Sequence, residues 1–228
     1  MRWEKKGEYH LAKEQKSEVT ADALSEALVR RLPGYYRHLR EMEAAGIKRV
    51  SSMKLGRRMH QTASLIRQDI NTFGGIGRQG LGYDVRELKE KIGDLLDLNR
   101  GHEMIILGAG NIGTAVAGYA SFQQNGFTTV AMFDVNPAKI GTKAGGIPVL
   151  SMDALEDYVM AHPVDIAVLA VPKEQAVTVM ERVQKLGIRA VWNFAPVDLQ
   201  YDQTAMTVVN VHLSDTLQVL SYQLAHMR

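Results

Sequence analysis

Six residues, Gly108-Ala109-Gly110-Asn111-Ile112-Gly113, carry the clearest chemistry in the chain. They follow an apolar run and open a helical pattern, the context in which a GxGxxG loop cradles a pyrophosphate. Gly108 permits a tight turn, Gly110 lets backbone approach phosphate oxygens, and Gly113 lets the helix pack closely on its strand. The helix start then offers unpaired N–H groups to an anion. Asp134 lies 21 residues beyond Gly113, at the end of the next apolar run. A carboxylate there accepts from the hydroxyls of an adenosine ribose and repels a 2′-phosphate, so the pattern favours NADH and NAD+ over their phosphorylated forms.

These residues need a parallel sheet to hold them, and residues 103–213 supply the pattern for one. Short apolar runs at 104–107, 129–133, 147–150, 166–171, 190–194 and 207–211 alternate with helical patterns at 114–124, 152–161 and 173–186, and a further one at 215–225. Such alternation predicts a Rossmann-type, doubly wound α/β domain. The 127 residues from 102 to 228 suffice for about one such domain and leave little room for a substrate domain.

The first hundred residues follow a different period. Residues 1–20 form a polar N-terminal arm with no apolar stretch of the kind a secretory signal requires. Residues 21–85 read as a winged-helix domain. Leu24, Leu28, Leu32, Tyr36, Leu39 and Met42 recur at helical spacing, with Pro33 splitting the pattern in two and Gly46 ending it. Ser51 or Ser52 can cap the next short helix, and Thr62 the one after it, with Ile66, Ile70 and Phe73 on one face. Joined through His60 and Gln61, the pair forms a helix-turn-helix candidate. Residues 74–83 hold five glycines in ten positions and read as a hairpin wing. Residues 86–102 are the connecting helix and linker.

Charge divides the same way. Residues 1–100 have 20 Lys and Arg against 14 Asp and Glu, whereas residues 101–228 have 7 against 11. Between 48 and 83 stand Lys48, Arg49, Lys54, Arg57, Arg58, Arg67 and Arg78 against the single acid Asp69. A basic stretch of this kind is either a polyanion footprint or a solvated face. Cysteine is absent, which removes disulfides, thiolate metal sites and cysteine nucleophiles. No run approaches a membrane span, no metal-ligand spacing occurs, and the seven histidines form no catalytic motif. His212 stands out among them because it follows an apolar run near the expected carboxyl edge of the sheet.

In order, RRLPGYYRHLREMEAAGIKRVSS (30–52), IRQDINTFGGIGRQGLGYDV (66–85), GAGNIGTAV (108–116), FDVNPAKIG (133–141), LAVP (169–172), NFAPV (193–197) and NVHLSDTLQVLSY (210–222) resemble the Rex family of redox-sensing transcriptional repressors over residues 28–228. The resemblance implies a non-enzymatic, cytoplasmic homodimer. It would bind palindromic double-stranded operator DNA and release it when NADH accumulates, controlling genes of fermentation and anaerobic metabolism. It also implies that residues 214–228 form a dimerisation helix exchanged between subunits, with Leu217, Leu220 and Leu224 as its apolar face.

On the matching recognition helix, Ser64, Arg67, Gln68 and Asn71 share one face, opposite Ile66, Ile70 and Phe73. That face can enter a major groove, with Arg67 pairing a guanine or clamping a phosphate. Arg78 in the wing, with Lys54 and Arg58, adds candidate DNA contacts, and Asp69 orients a basic neighbour or caps locally. The nicotinamide side is expected to be lined by Ala170, Val171, Pro172, Asn193, Phe194 and Pro196, and an apolar lining favours the neutral reduced ring over the cationic oxidised one. The chain departs from the family at three positions. Gln68 and Gln79 stand where basic residues are common. His212 stands where an Asp usually meets a tyrosine, whose position here is Tyr119. The other readings are an NAD-dependent oxidoreductase, a CoA- or nucleotide-binding module, and a DNA-binding protein indifferent to nucleotide.

Overall fold

A short helix and a longer one open the described part of the chain. The computed structural model describes residues 24–74, 77–78 and 81–227, so the expected arm at 1–20 and Gln79 lie outside the described residues. The described chain divides into two compact units between Asn99 and Arg100.

The first unit begins with α1 (Glu26–Val29), capped by the Ser25 hydroxyl, and α2 (Leu32–Ala44). Pro33 occupies the first turn of α2, where its missing N–H has no intrahelical partner to lose, so the proline starts this helix. Next come β1 (Arg49–Val50), α3 (Ser52–Met59) and α4 (Ala63–Thr72). Ser51 caps α3 and Thr62 caps α4, each hydroxyl accepting from a backbone N–H three residues on at 3.2 Å. Between them His60 sits in the left-handed region at φ 53°. Gly56 makes the tight turn possible, because a Cβ there would stand 2.6 Å from the Gln61 carbonyl oxygen.

The wing is β2 (Gly77–Arg78) paired antiparallel with β3 (Gly82–Asp84), and β1 adds a third strand that the sequence did not suggest. Helix α5 (Val85–Leu95), capped by Asp84, packs back into this unit. Val85, Leu88 and Ile92 join Leu28, Leu32, Tyr35, Leu39, Leu55, Ile66, Ile70 and Phe73 in one core. Burial of each large side chain contributes about 1.5–3 kcal/mol. The expected connecting helix is therefore part of the first unit's own core.

The second unit contains β4 (His102–Leu107), α6 (Asn111–Ala117), α7 (Ser121–Gln124), β5 (Phe127–Asp134), β6 (Lys143–Ala144), β7 (Ile147–Ser151), α8 (Leu155–Ala161), β8 (Ile166–Leu169), α9 (Lys173–Lys185), β9 (Ala190–Asn193), β10 (Thr207–Asn210) and α10 (Leu213–Ala225). The sheet order is β10-β9-β8-β4-β5-β7-β6, parallel except for the small β6–β7 pair. Strand order reverses between β4 and β8, the switch point at which open parallel sheets bind ligands. Alternate residues of β4 face opposite ways. Ile105 and Leu107 join the core beneath α8 and α9, whereas Met104 and Ile106 join Val116 of α6 on the other face.

The single helix expected over 114–124 is two, starting earlier at Asn111 and interrupted at Gly118, Tyr119 and Ala120. Helix α10 buries none of its residues against its own chain, and Leu213, Leu217, Leu220 and Leu224 are all exposed. Among the described residues no helix is long and apolar enough to cross a membrane.

Candidate functional site

The glycine loop joins β4 to α6 at the switch point. Gly108 has φ +104°, and a Cβ there would lie 2.4 Å from the Ala170 carbonyl oxygen. A Cβ on Gly113 would lie 1.9 Å from the Gly108 carbonyl oxygen. Both glycines are thus required by the protein's own packing. Gly110 differs: its φ is negative and nothing lies within 4 Å of its Cβ position. The open space beside Gly110, at the N-terminal end of α6 where Asn111 and Ile112 present backbone N–H groups, fits the close approach of a pyrophosphate.

A cleft of about 250 Å³ adjoins this loop. Its lining includes Gly108, Gly110, Asp134, Ala170, Val171 and Pro172, which the sequence singled out. Val135, Lys139, Met152, Gln175 and Val179 also line it and were missed. Lys139 lies five residues after Asp134, and Gln175 and Val179 lie on one face of α9 just past the LAVP segment. Their spacing from the recognised motifs was the available signal.

Asp134 is buried and organises the cleft. The Ala109 N–H donates to Oδ2 and the Asn136 N–H to Oδ1, each at 2.8 Å, and Lys139 Nζ lies 3.3 Å from Oδ2. Burial opposes ionisation of this carboxyl. The two backbone donors and the ammonium outweigh it, so its pKa lies below the ordinary value. The carboxylate therefore does two jobs: it clamps the glycine loop through Ala109 and keeps acceptor capacity for a ribose hydroxyl.

Of the expected nicotinamide-side residues, Asn193 and Phe194 lie apart from the lining of this cleft. Asn193 is fully buried and engaged within the protein. Nδ2 donates to the Val197 carbonyl and to Asn210 Oδ1, both at 2.9 Å, and Oδ1 accepts from the Ala195 N–H at 3.0 Å. It shapes the segment after β9, and neither it nor Phe194 lines the described cleft. Phe194 packs on Trp192 (ring centroids 4.6 Å apart), Trp192 on Phe122 (5.5 Å) and Phe122 on Tyr119 (4.7 Å). This aromatic row runs from the end of β9 to the α6–α7 turn and was not foreseen. Tyr119 itself is 59% exposed. His212 precedes α10, with Nε2 3.2 Å from Asp198 Oδ1.

In the first unit, Ser64, Arg67, Gln68 and Asn71 are all exposed on α4, while Ile66, Ile70 and Phe73 are fully buried. Arg67 Nη1 donates to Ser52 Oγ on α3 at 3.3 Å. Asp69 points inward. Arg31 donates to its two oxygens at 2.8 and 2.7 Å, and the Tyr35 hydroxyl donates at 2.9 Å. Burial, then the bond to Asp69, push the Tyr35 hydroxyl well above its usual pKa. Lys54 is exposed, and Arg58 lies 3.5 Å from Glu41. The Arg78 backbone lies in the wing opposite Gly82. No group of acids and histidines able to hold a metal occurs among the described residues.

Comparison with known proteins agrees with both halves. A family model described as a putative DNA-binding protein N-terminus matches residues 23–71, and one described as a CoA binding domain matches 99–197. The chain is 43% identical over 201 residues to the redox-sensing transcriptional repressor Rex of Thermoanaerobacter sp. (strain X514), covering 88% of this chain and 89% of that one. It is 47% identical to the Rex of Clostridioides difficile (strain 630), covering 87% and 94%. These relatives are named as repressors and not as enzymes. Among solved structures, RSP in complex with β-NAD+ and operator DNA superposes with a TM-score of 0.83 at 43% identity, covering 88% of this chain and 92% of that one. RSP in complex with β-NADH gives 0.81 at 41%, covering 88% and 94%. The chain therefore belongs to the Rex family of redox-sensing transcriptional repressors.

Proposed function

We propose that this chain represses transcription by binding a palindromic operator as a homodimer and releases it when NADH occupies the glycine-loop cleft, so that promoter activity follows the NADH/NAD+ ratio. The genes under its control are those of fermentation and anaerobic metabolism, and its place of action is the cytoplasm. The observation that carries this reading is the open cradle at Gly110 beside the cleft-lining carboxylate of Asp134, in a chain whose α4 presents an exposed polar face.

Each part has a physical task. The α4 faces of two copies enter successive major grooves, so operator binding depends on the spacing between them. The apolar face of α10, unburied in its own chain, packs on the second copy, by exchange of the helix between subunits. A ligand shifts such an equilibrium only through differential affinity for its two states. A coupling of about 1–3 kcal/mol changes operator affinity roughly 5- to 150-fold, and by linkage operator DNA weakens NADH binding by the same factor. An apolar surrounding favours the neutral reduced nicotinamide over the cationic oxidised one, and Tyr119 and His212 are the candidate switch residues.

The match to a CoA binding domain supports a second reading, in which the cleft takes CoA. Fluorescence anisotropy of a labelled palindromic operator at fixed salt separates the two. Release by NADH, with NADPH and CoA without effect, is expected. Release by CoA alone overturns the first reading in favour of the second. Tight binding unmoved by any nucleotide overturns both.

A further inference from the structure

The cleft is apolar except for three side chains, Asp134, Lys139 and Gln175. Asp134 and Lys139 are engaged with each other. The Gln175 carboxamide makes no hydrogen bond to any described residue, although its backbone N–H is held by the Pro172 carbonyl at 3.0 Å. Gln175 and Val179 stand one turn apart on α9 and so share a face. With Val135, Met152 and Val171 they border a slot on the Asp134 side of the glycine loop. A base attached to a ribose whose hydroxyls meet Asp134 comes within reach of this slot, because the glycosidic carbon adjoins the carbon bearing the 2′-hydroxyl and the same cleft contains both Asp134 and Gln175.

We propose that Gln175 reads the adenine of the bound dinucleotide, the apolar slot holding the ring and the carboxamide pairing its N6/N7 edge. This rests on the function proposed above. A carboxamide offers one acceptor and two donors. Adenine offers an amino donor at N6 beside an acceptor at N7, an edge that glutamine pairs with two hydrogen bonds. Replacing the amino group with an oxo group places two acceptors side by side, and one of the two bonds is lost. Lys139 does not substitute for Gln175, since an ammonium has no acceptor for the amino group.

The test compares NADH with deamino-NADH, in which hypoxanthine replaces adenine, by calorimetric titration of the full-length chain and of Gln175→Leu and Gln175→Ala. Gln175 is exposed, so both variants keep their melting temperature. The wild-type chain is expected to bind NADH roughly 5- to 10-fold more tightly than deamino-NADH, the effect of one hydrogen bond. Both variants are expected to bind the two nucleotides equally, and less tightly than the wild type binds deamino-NADH, since they lack both bonds. Equal wild-type affinities, or a preference that survives in the variants, overturn the assignment of Gln175 alone. Failure of the wild-type chain to bind NADH overturns the proposed function, and this inference with it.

Discussion

Arg31 and Asp69 are 38 residues apart in sequence, yet two parallel N–H···O bonds of 2.8 and 2.7 Å join them. The pair ties the start of α2 to the middle of α4, whose opposite face exposes Ser64, Arg67, Gln68 and Asn71. Asp69 has 4% of its side chain exposed and Arg31 24%. Arg31→Ala leaves the carboxylate with the Tyr35 hydroxyl alone, and removing one partner of a buried pair costs about 3–5 kcal/mol. The exposed edge of Arg31 places the expected loss at the lower end of that range. Urea denaturation of the full chain measures it. A loss below about 1 kcal/mol, as at an exposed pair, would show that the contact does not anchor α4.

Two glycines of one loop predict opposite phenotypes. Gly113→Ala forces a Cβ against the Gly108 carbonyl, so the nucleotide-binding unit loses stability in thermal melts. Gly110→Ala meets nothing within 4 Å, so it is expected to melt like the wild type while its NADH affinity falls at least tenfold. Undiminished NADH binding by Gly110→Ala would remove the pyrophosphate from this loop.

The clamp on Asp134 carries a pH signature. Its pKa is lowered in the folded state. The stability it contributes is therefore fully present above the unfolded carboxyl value of about 3.9 and is lost as pH falls through the folded value. Asp134→Asn removes this contribution and leaves the Ala109 N–H facing a group with one acceptor oxygen instead of two. Equilibrium unfolding between pH 7 and pH 3 should show a steeper acid loss for the wild type than for Asp134→Asn. Parallel curves would show that Asp134 is not held ionised by its partners.

Much of this arrangement was legible because it is local. The caps at Ser51 and Thr62, the buried Ile66, Ile70 and Phe73, and the GxGxxG loop are set by residues within a turn or two of one another. What was not legible depends on distant partners. Strand β1 has two residues and exists only because β3 pairs with it. The helix after the glycine loop breaks at Gly118, close to which Gly145 packs. Asn193 looked like a lining residue from its place at the end of an apolar run. Its amide is taken by Val197 and by Asn210 on the neighbouring strand, a pairing no spacing rule conveys. Lys139 and Gln175 come to one cleft only through the parallel sheet.

Helix α10 predicts the assembly. Leu217, Leu220 and Leu224 are 66%, 57% and 70% exposed in the single chain, a row of apolar side chains that stays in contact with water unless a second copy covers it. Leu217→Glu with Leu220→Glu is expected to convert a dimer into a monomer in sedimentation velocity. Because two half-sites need two α4 faces, the variant should also lose palindromic operator affinity. A dimer that survives both charges would place the subunit interface elsewhere.

Arg67 separates sequence reading from electrostatic attraction. Its guanidinium is exposed on α4, and its bond to Ser52 Oγ on α3 holds it in place before DNA arrives. A pre-positioned planar donor suits guanine O6 and N7, and such a pair discriminates bases by about 1–3 kcal/mol. Lys54, exposed on α3, is a flexible point charge suited to a phosphate. Arg67→Ala is therefore expected to weaken operator binding by about that amount while nonspecific DNA binding changes little. Lys54→Ala should weaken both alike and reduce the slope of log affinity against log salt by about 1. Operator and scrambled-duplex titrations at three salt concentrations distinguish the two. If Arg67→Ala lowers both affinities in parallel with a changed slope, Arg67 is a phosphate clamp and base readout rests on Gln68 and Asn71.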